Sequence, residues 1–130
     1  MEIVSDLEKI MEIRQLSSHQ AWHEFKNTPT AYLIDVRTPQ EWRITGIAPI
    51  AESRQLLLSL IWADNTFNPD FIETFQKHCL NKTQPLYFVC KKGIRSQKAA
   101  ELMAFKGYTS LVNIYDGFES LIHQIQSFPL

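Results

Sequence analysis

The stretch Leu86-Tyr87-Phe88-Val89-Cys90-Lys91-Lys92-Gly93-Ile94-Arg95-Ser96-Gln97-Lys98-Ala99-Ala100 decides the fold. Leu86 to Val89 is a continuous apolar run, as expected of a strand buried on both faces of a parallel sheet. Cys90 to Arg95 reads as a tight loop. Ser96 to Lys106 reads as a helix carrying Ala99, Ala100, Leu102, Met103 and Phe105, stopped by Gly107. Strand, loop and helix in that order form the building unit of an α/β sheet.

The same grammar recurs on both sides. Ala31 to Val36 is a second buried run after a proline turn, and Thr38-Pro39-Gln40-Glu41 restarts a helix with Thr38 as N-cap, Pro39 at the first helical position and Glu41 closing a capping box. Leu111 to Ile114 reads as a further strand and Asp116 to Gln126 as a closing helix. Toward the N-terminus, Glu12 to Leu16 suits a first strand, and Ser17 caps a helix through Lys26 with Ala21, Trp22 and Phe25 inward. Pro69 to Cys79 has Phe71, Ile72 and Phe75 at helical spacing. Met1 to Ile10 suits a short helix or an arm. Between Gly46 and Asn68 the pattern is ambiguous: Ile47 to Ala51 fits a short strand or an extended loop, and Leu56 to Ala63 fits either helix or strand. The expectation is one α/β domain over residues 1–130, a largely parallel sheet with helices on both faces.

Composition narrows the function. The chain of 130 residues is 45% apolar, enough for one packed core, and 13 Lys+Arg against 14 Asp+Glu give a formal charge of -1. No global attraction to nucleic acid or to a membrane surface follows. The longest apolar stretch, Leu56 to Ala63, falls far short of the ~20 residues of a membrane span. Met1 to Met11 lacks the basic-then-apolar order of a secretory signal, which reads as a cytoplasmic protein. Two cysteines, Cys79 and Cys90, are too few for a disulfide framework, and His19, His23, His78 and His123 are scattered. Neither a metal nor a cofactor is implied.

The chemistry gathers on Cys90. In open α/β sheets ligands bind beyond the carboxyl ends of strands, where loops enter helix N-termini. Lys91 to Ser96 offers successive backbone N–H groups, a glycine free to take positive φ, and the positive end of a helix dipole. Such a loop can wrap an anion. Positive potential from the helix and from Lys91, Lys92 and Arg95 favours a thiolate, which is the nucleophilic form. A cysteine after a strand is commonly a core residue, but three cations directly after a buried strand serve no packing purpose.

Three segments resemble single-domain rhodaneses, a sulfurtransferase family. They are Leu33-Ile34-Asp35-Val36-Arg37-Thr38-Pro39-Gln40-Glu41-Trp42, the loop Cys90-Lys91-Lys92-Gly93-Ile94-Arg95-Ser96, and Gly107-Tyr108 with Val112-Asn113-Ile114-Tyr115-Asp116-Gly117-Phe118. The resemblance runs from about Glu12 to Leu121. It implies a rhodanese-like central sheet of five mostly parallel strands and a reaction through a persulfide on Cys90. The donor would be thiosulfate or a similar small anion, and the acceptor a thiol, cyanide or a protein cysteine. Lys91, Lys92, Gly93, Ile94, Arg95 and Ser96 would bind the donor. Asp35 and Arg37 are expected to organise loops, Glu41 to pair with Arg95, and Trp22, Trp42 and Trp62 to pack in or near the core. The chain departs from the family at Gly46-Ile47-Ala48-Pro49-Ile50-Ala51, where members often carry Gly-His-Ile-x-Gly-Ala, and at Asp116-Gly117-Phe118, where a tryptophan is absent.

Two other readings compete. Cysteine phosphatases and arsenate reductases usually place five residues between Cys and Arg, whereas four stand here, Lys91 to Ile94. A non-catalytic interaction module of the same fold is the second, against which stand the intact Cys90 and the cationic loop. Cys79 could resolve a persulfide as a disulfide; a buried residue at a helix end is the simpler reading.

Overall fold

The computed structural model describes residues 5–130. Of the stretch read as a helix or arm, Met1 to Val4 lie outside the described residues, and the remainder enters a short helix, α1 (Asp6–Met11). The strands are β1 (Arg14–Leu16), β2 (Tyr32–Asp35), β3 (Gln55–Leu57), β4 (Leu86–Val89) and β5 (Leu111–Ile114), in a five-stranded sheet of order β1-β5-β4-β2-β3. Every pairing is parallel. Between and after the strands come α2 (Ser18–Lys26), α3 (Pro39–Thr45), α4 (Phe71–His78), α5 (Ile94–Phe105) and α6 (Phe118–Ser127).

The continuous apolar run of β4 is explained by cores on both its faces. Leu86 and Phe88 join Phe71 and Phe75 of α4 with Ala99, Ala100 and Met103 of α5. Tyr87 and Val89 join Trp22 and Phe25 of α2 with Leu121 and Ile125 of α6. Phe75 stacks on Phe88 with centroids 5.7 Å apart. The expected caps form: Ser17 and Thr38 each accept from the third residue of their helix, and Gln20 and Glu41 reach back to complete capping boxes.

β1, β2 and α4 are each shorter than the runs read from the sequence, and three further differences have a local reason. Helix α5 begins at Ile94, not Ser96, because Gly93 at φ +87° turns the chain directly into the helix. Helix α6 begins at Phe118, not Asp116, because the Asp116 carboxylate instead accepts from the Ser18 N–H and hydroxyl at 2.8 and 3.0 Å, at the start of α2. In the ambiguous region, Ile47 to Ala51 is loop, a single 3-10 turn spans Glu52–Arg54, and β3 takes only three residues. After it the chain is irregular apart from an antiparallel bridge between Ile61 and Phe67. Trp22 is buried, while Trp62 is exposed.

No helix among the described residues is long and apolar enough to cross a membrane. Cys79 and Cys90 are both free thiols. Cys79 follows α4, and its carbonyl accepts from the Tyr108 hydroxyl beyond the far end of α5. Cys90 precedes the near end of α5, so a helix of about 18 Å stands between them. Burial pushes the Cys79 thiol up to about 11. Cys79 is a buried core residue.

Candidate active site

Strand β4 lies between β5 and β2, and Cys90 stands at its carboxyl end, where the chain leaves the sheet for α5. Cys90 is 1% exposed. Its Sγ accepts the Gly93 N–H at 3.1 Å and lies 3.3 Å from Ser96 Oγ. Gly93 curls the loop back so that the chain approaches its own sulfur, and the first-turn amides of α5 have no intrahelical carbonyls to bind. Lys91 and Lys92 are exposed, as is Ile94, and neither lysine is paired with a carboxylate among the described residues.

Arg95 is engaged elsewhere. Its two terminal nitrogens donate to Glu41 Oε1 at 2.6 Å and Oε2 at 3.0 Å, the pairing expected from the sequence. The fork holds α3 against the start of α5. Local positive charge therefore comes from Lys91, Lys92 and the helix terminus, with Arg95 largely balanced by its carboxylate. The Arg95 hydrogen bonds, opposed by burial and assisted by Thr38, hold the Glu41 carboxyl down at about 2. A carboxyl depressed from its ordinary 4.5 stabilises the fold fully above that value and loses its contribution as pH falls toward 2. Urea midpoints are thus expected to fall over that window, and Glu41→Gln to remove part of the slope.

Asp35 and Arg37 organise the floor of the site. The Asp35 carboxylate accepts from Arg37 Nε, Nη2 and backbone N–H at 2.8 to 3.2 Å, with both residues nearly fully buried. Arg37 also donates to Thr45 Oγ1 and the Gly46 carbonyl, each at 2.8 Å, and its guanidinium lies 3.3 Å from the centre of the Phe118 ring. Beside it a cleft of about 620 Å³ opens between α3 and α6, walled by Arg37, Ile44, Lys91, Phe118, Ile122 and His123 among others. Lys91 joins the cleft to the loop.

Two glycines lock the loop in place. A Cβ on Gly93 would sit 2.5 Å from the Tyr115 carbonyl oxygen, and one on Gly117 would sit 1.9 Å from the Lys91 carbonyl oxygen. The Cys90 loop and the β5–α6 turn thus meet backbone to backbone, and the Phe118 N–H donates to the Cys90 carbonyl at 2.9 Å. The sequence reading quoted Gly117 and Phe118 within a family segment but gave them no role, and so missed this brace. A glycine between a short strand and a helix was the available signal.

A cysteine thus stands at the end of a central strand of an all-parallel α/β sheet, against a helix N-terminus turned by a glycine. The chain belongs to the Rhodanese-like domain family, whose model matches residues 17–123. It is 34% identical over 110 residues to an uncharacterized protein of Rickettsia rickettsii, the RP600 homolog, covering 84% of this chain and 86% of that one. Among solved structures it is similar to Rv0390 from M. tuberculosis, with TM-score 0.68, 29% identity, and coverage of 80% of this chain and 78% of that one. The polysulfide-sulfur transferase homodimer of Wolinella succinogenes shares the fold, with TM-score 0.68 at 19% identity over 92% of this chain and 80% of that one.

Proposed function

We propose that the protein is a sulfurtransferase that carries one sulfur as a persulfide on Cys90. The observation that carries this reading is the Cys90 sulfur itself, held at the end of β4 with the Gly93 N–H on it and two exposed lysines next in sequence. In the first half-reaction the Cys90 thiolate attacks the outer sulfur of thiosulfate or a similar anion. A new S–S bond forms, the donor's S–S bond breaks, and sulfite leaves with the electron pair. In the second, an acceptor thiol, protein cysteine or cyanide attacks the outer sulfur and Cys90 leaves as the thiolate. Loop amides from Lys91 to Ser96 stabilise the anionic donor, as preorganised backbone dipoles do at other anions, and Lys91 and Lys92 bias the site toward negative charge. Ile94 and Gly93 shape the loop; Arg95 acts through its fork to Glu41. Free thiols and a persulfide intermediate suit a reducing compartment such as the cytoplasm.

Two observations weigh against phosphate chemistry. The loop is one residue short of the usual spacing, and the arginine that would close on a tetrahedral anion is bound to Glu41. With thiosulfate and cyanide, thiocyanate is expected to form, and Cys90→Ser to reduce the rate to background. Turnover of an aryl phosphate that is lost in Cys90→Ser would instead favour a phosphatase. Full-length, well-folded protein that transfers no sulfur from thiosulfate or polysulfide would favour an interaction module.

A further inference from the structure

Behind Cys90 runs a chain of side-chain hydrogen bonds that sulfur transfer, as described above, does not use. Ser96 Oγ donates to Asn113 Oδ1 at 2.6 Å while lying 3.3 Å from Cys90 Sγ. Asn113 Nδ2 donates to Gln15 Oε1 at 2.9 Å and to the Gly93 carbonyl at 3.3 Å. Those two acceptors fix which way the amide faces, so Oδ1 is turned to Ser96. Gln15 is exposed on β1, whereas Asn113 and Ser96 are buried, 3% and 0% exposed.

A serine hydroxyl has one proton to donate. With that proton held on Asn113, Ser96 can offer Cys90 only a lone pair, and the 3.3 Å contact becomes a bond from the thiol S–H to Oγ. Gly93 pulls the other way, since its N–H donates to the sulfur whatever the sulfur carries. When the sulfur loses its proton or receives a second sulfur, it can no longer donate. Ser96 can then donate to the sulfur only by turning from Oδ1 to Sγ, which leaves a buried amide oxygen without its donor, an unfavourable state.

We propose that Asn113 is a positioning residue that holds the Ser96 hydroxyl proton away from Cys90, restraining the conversion of the sulfur to its anionic and sulfur-loaded forms. The proposal rests on the sulfur-transfer reading for its purpose, but its geometry is independent of any donor. Ser96 is a two-position switch, and Asn113, oriented by Gln15 and Gly93, sets its resting position.

The test is alkylation of the full chain by iodoacetamide, followed at the Cys90 peptide over a range of pH. Asn113→Leu removes the competing acceptor, so the rate at neutral pH is expected to rise roughly tenfold and the pH profile to move down by about one unit. In a Ser96→Ala background the same substitution is expected to change the rate less than about twofold, because the effect passes through the hydroxyl. An unchanged or slower rate in folded Asn113→Leu, or an equal acceleration without Ser96, overturns the proposal. If Asn113→Leu does not fold, infrared spectroscopy of Cys79→Ala protein at mildly acidic pH decides. The Cys90 S–H stretching band is expected at the lowered frequency of a donating thiol and to move up in Ser96→Ala; a band that does not move overturns the proposal. Alkylation needs no sulfur donor. Absence of persulfide transfer alongside the expected alkylation rates would therefore count against the sulfurtransferase reading alone.

Discussion

Gly117→Ala is expected to reduce sulfur transfer at least about 100-fold, because its methyl group cannot be accommodated without moving the Cys90 loop, and displacements near 1 Å at a reacting centre have effects of that size. The new Cβ would stand 1.9 Å from the Lys91 carbonyl oxygen and 2.7 Å from its carbon, both backbone atoms that no rotamer change can move aside. Gly117 also lies at φ +90°, ψ -178°, a region that residues with a side chain rarely enter and whose strain costs about 1–3 kcal/mol. Relief must come from the loop, from the β5–α6 turn, or from both. The Phe118 N–H bond to the Cys90 carbonyl lies between them and would be lengthened first. Thiocyanate formation and urea unfolding, measured on the same sample, separate displacement of the loop from loss of the fold. A Gly117→Ala protein of ordinary activity would show that the brace does not position the sulfur.

Asp35→Ala is expected to destabilise the protein by about 3–5 kcal/mol, the range for removing one partner of a buried ion pair. The carboxylate is 0% exposed and the arginine 2% exposed, so little solvent reaches the guanidinium left behind. It would keep Thr45, the Gly46 carbonyl and the Phe118 ring, none of which carries the missing charge. For a chain of this length such a loss corresponds to a fall of roughly 10–20 °C in Tm, read by calorimetry. The double substitution Asp35→Leu with Arg37→Met is expected to recover part of that stability, since it strands neither charge. Equal or greater destabilisation in the double variant would mean that the hydrogen bonds of Arg37 to α3, rather than charge pairing, support this end of β2.

The contrast between these features and those read directly from the sequence is one of distance along the chain. Strand β4 and helix α5 were legible because their signals are local: an apolar run of four residues, a glycine, and alanines at helical spacing. The start of α3 was legible for the same reason, since Thr38 and Glu41 cap a helix within four residues of each other. The Glu41–Arg95 fork, whose partners are 54 residues apart in the chain, was anticipated only through the family resemblance. The brace at Gly117 and the Asn113–Ser96 bond were not. Each joins segments some twenty residues apart whose meeting is set by the parallel pairing of β4 with β5. The region from Gly46 to Asn68 was illegible for another reason. It is held by side-chain bonds to backbone, Gln55 to the Ala48 and Ile50 carbonyls, Ser59 to the Arg37 carbonyl and Asn68 to the Ser59 carbonyl. Such bonds leave no periodic pattern.

The most direct measurement is the intact mass of the protein after incubation with thiosulfate, and separately with polysulfide, followed by peptide mapping. Sulfur transfer through Cys90 predicts a gain of about 32 Da, one sulfur atom, on the Cys90 peptide, reversed by cyanide and absent from Cys90→Ser. No gain with either donor, or a gain that persists in Cys90→Ser, would contradict it.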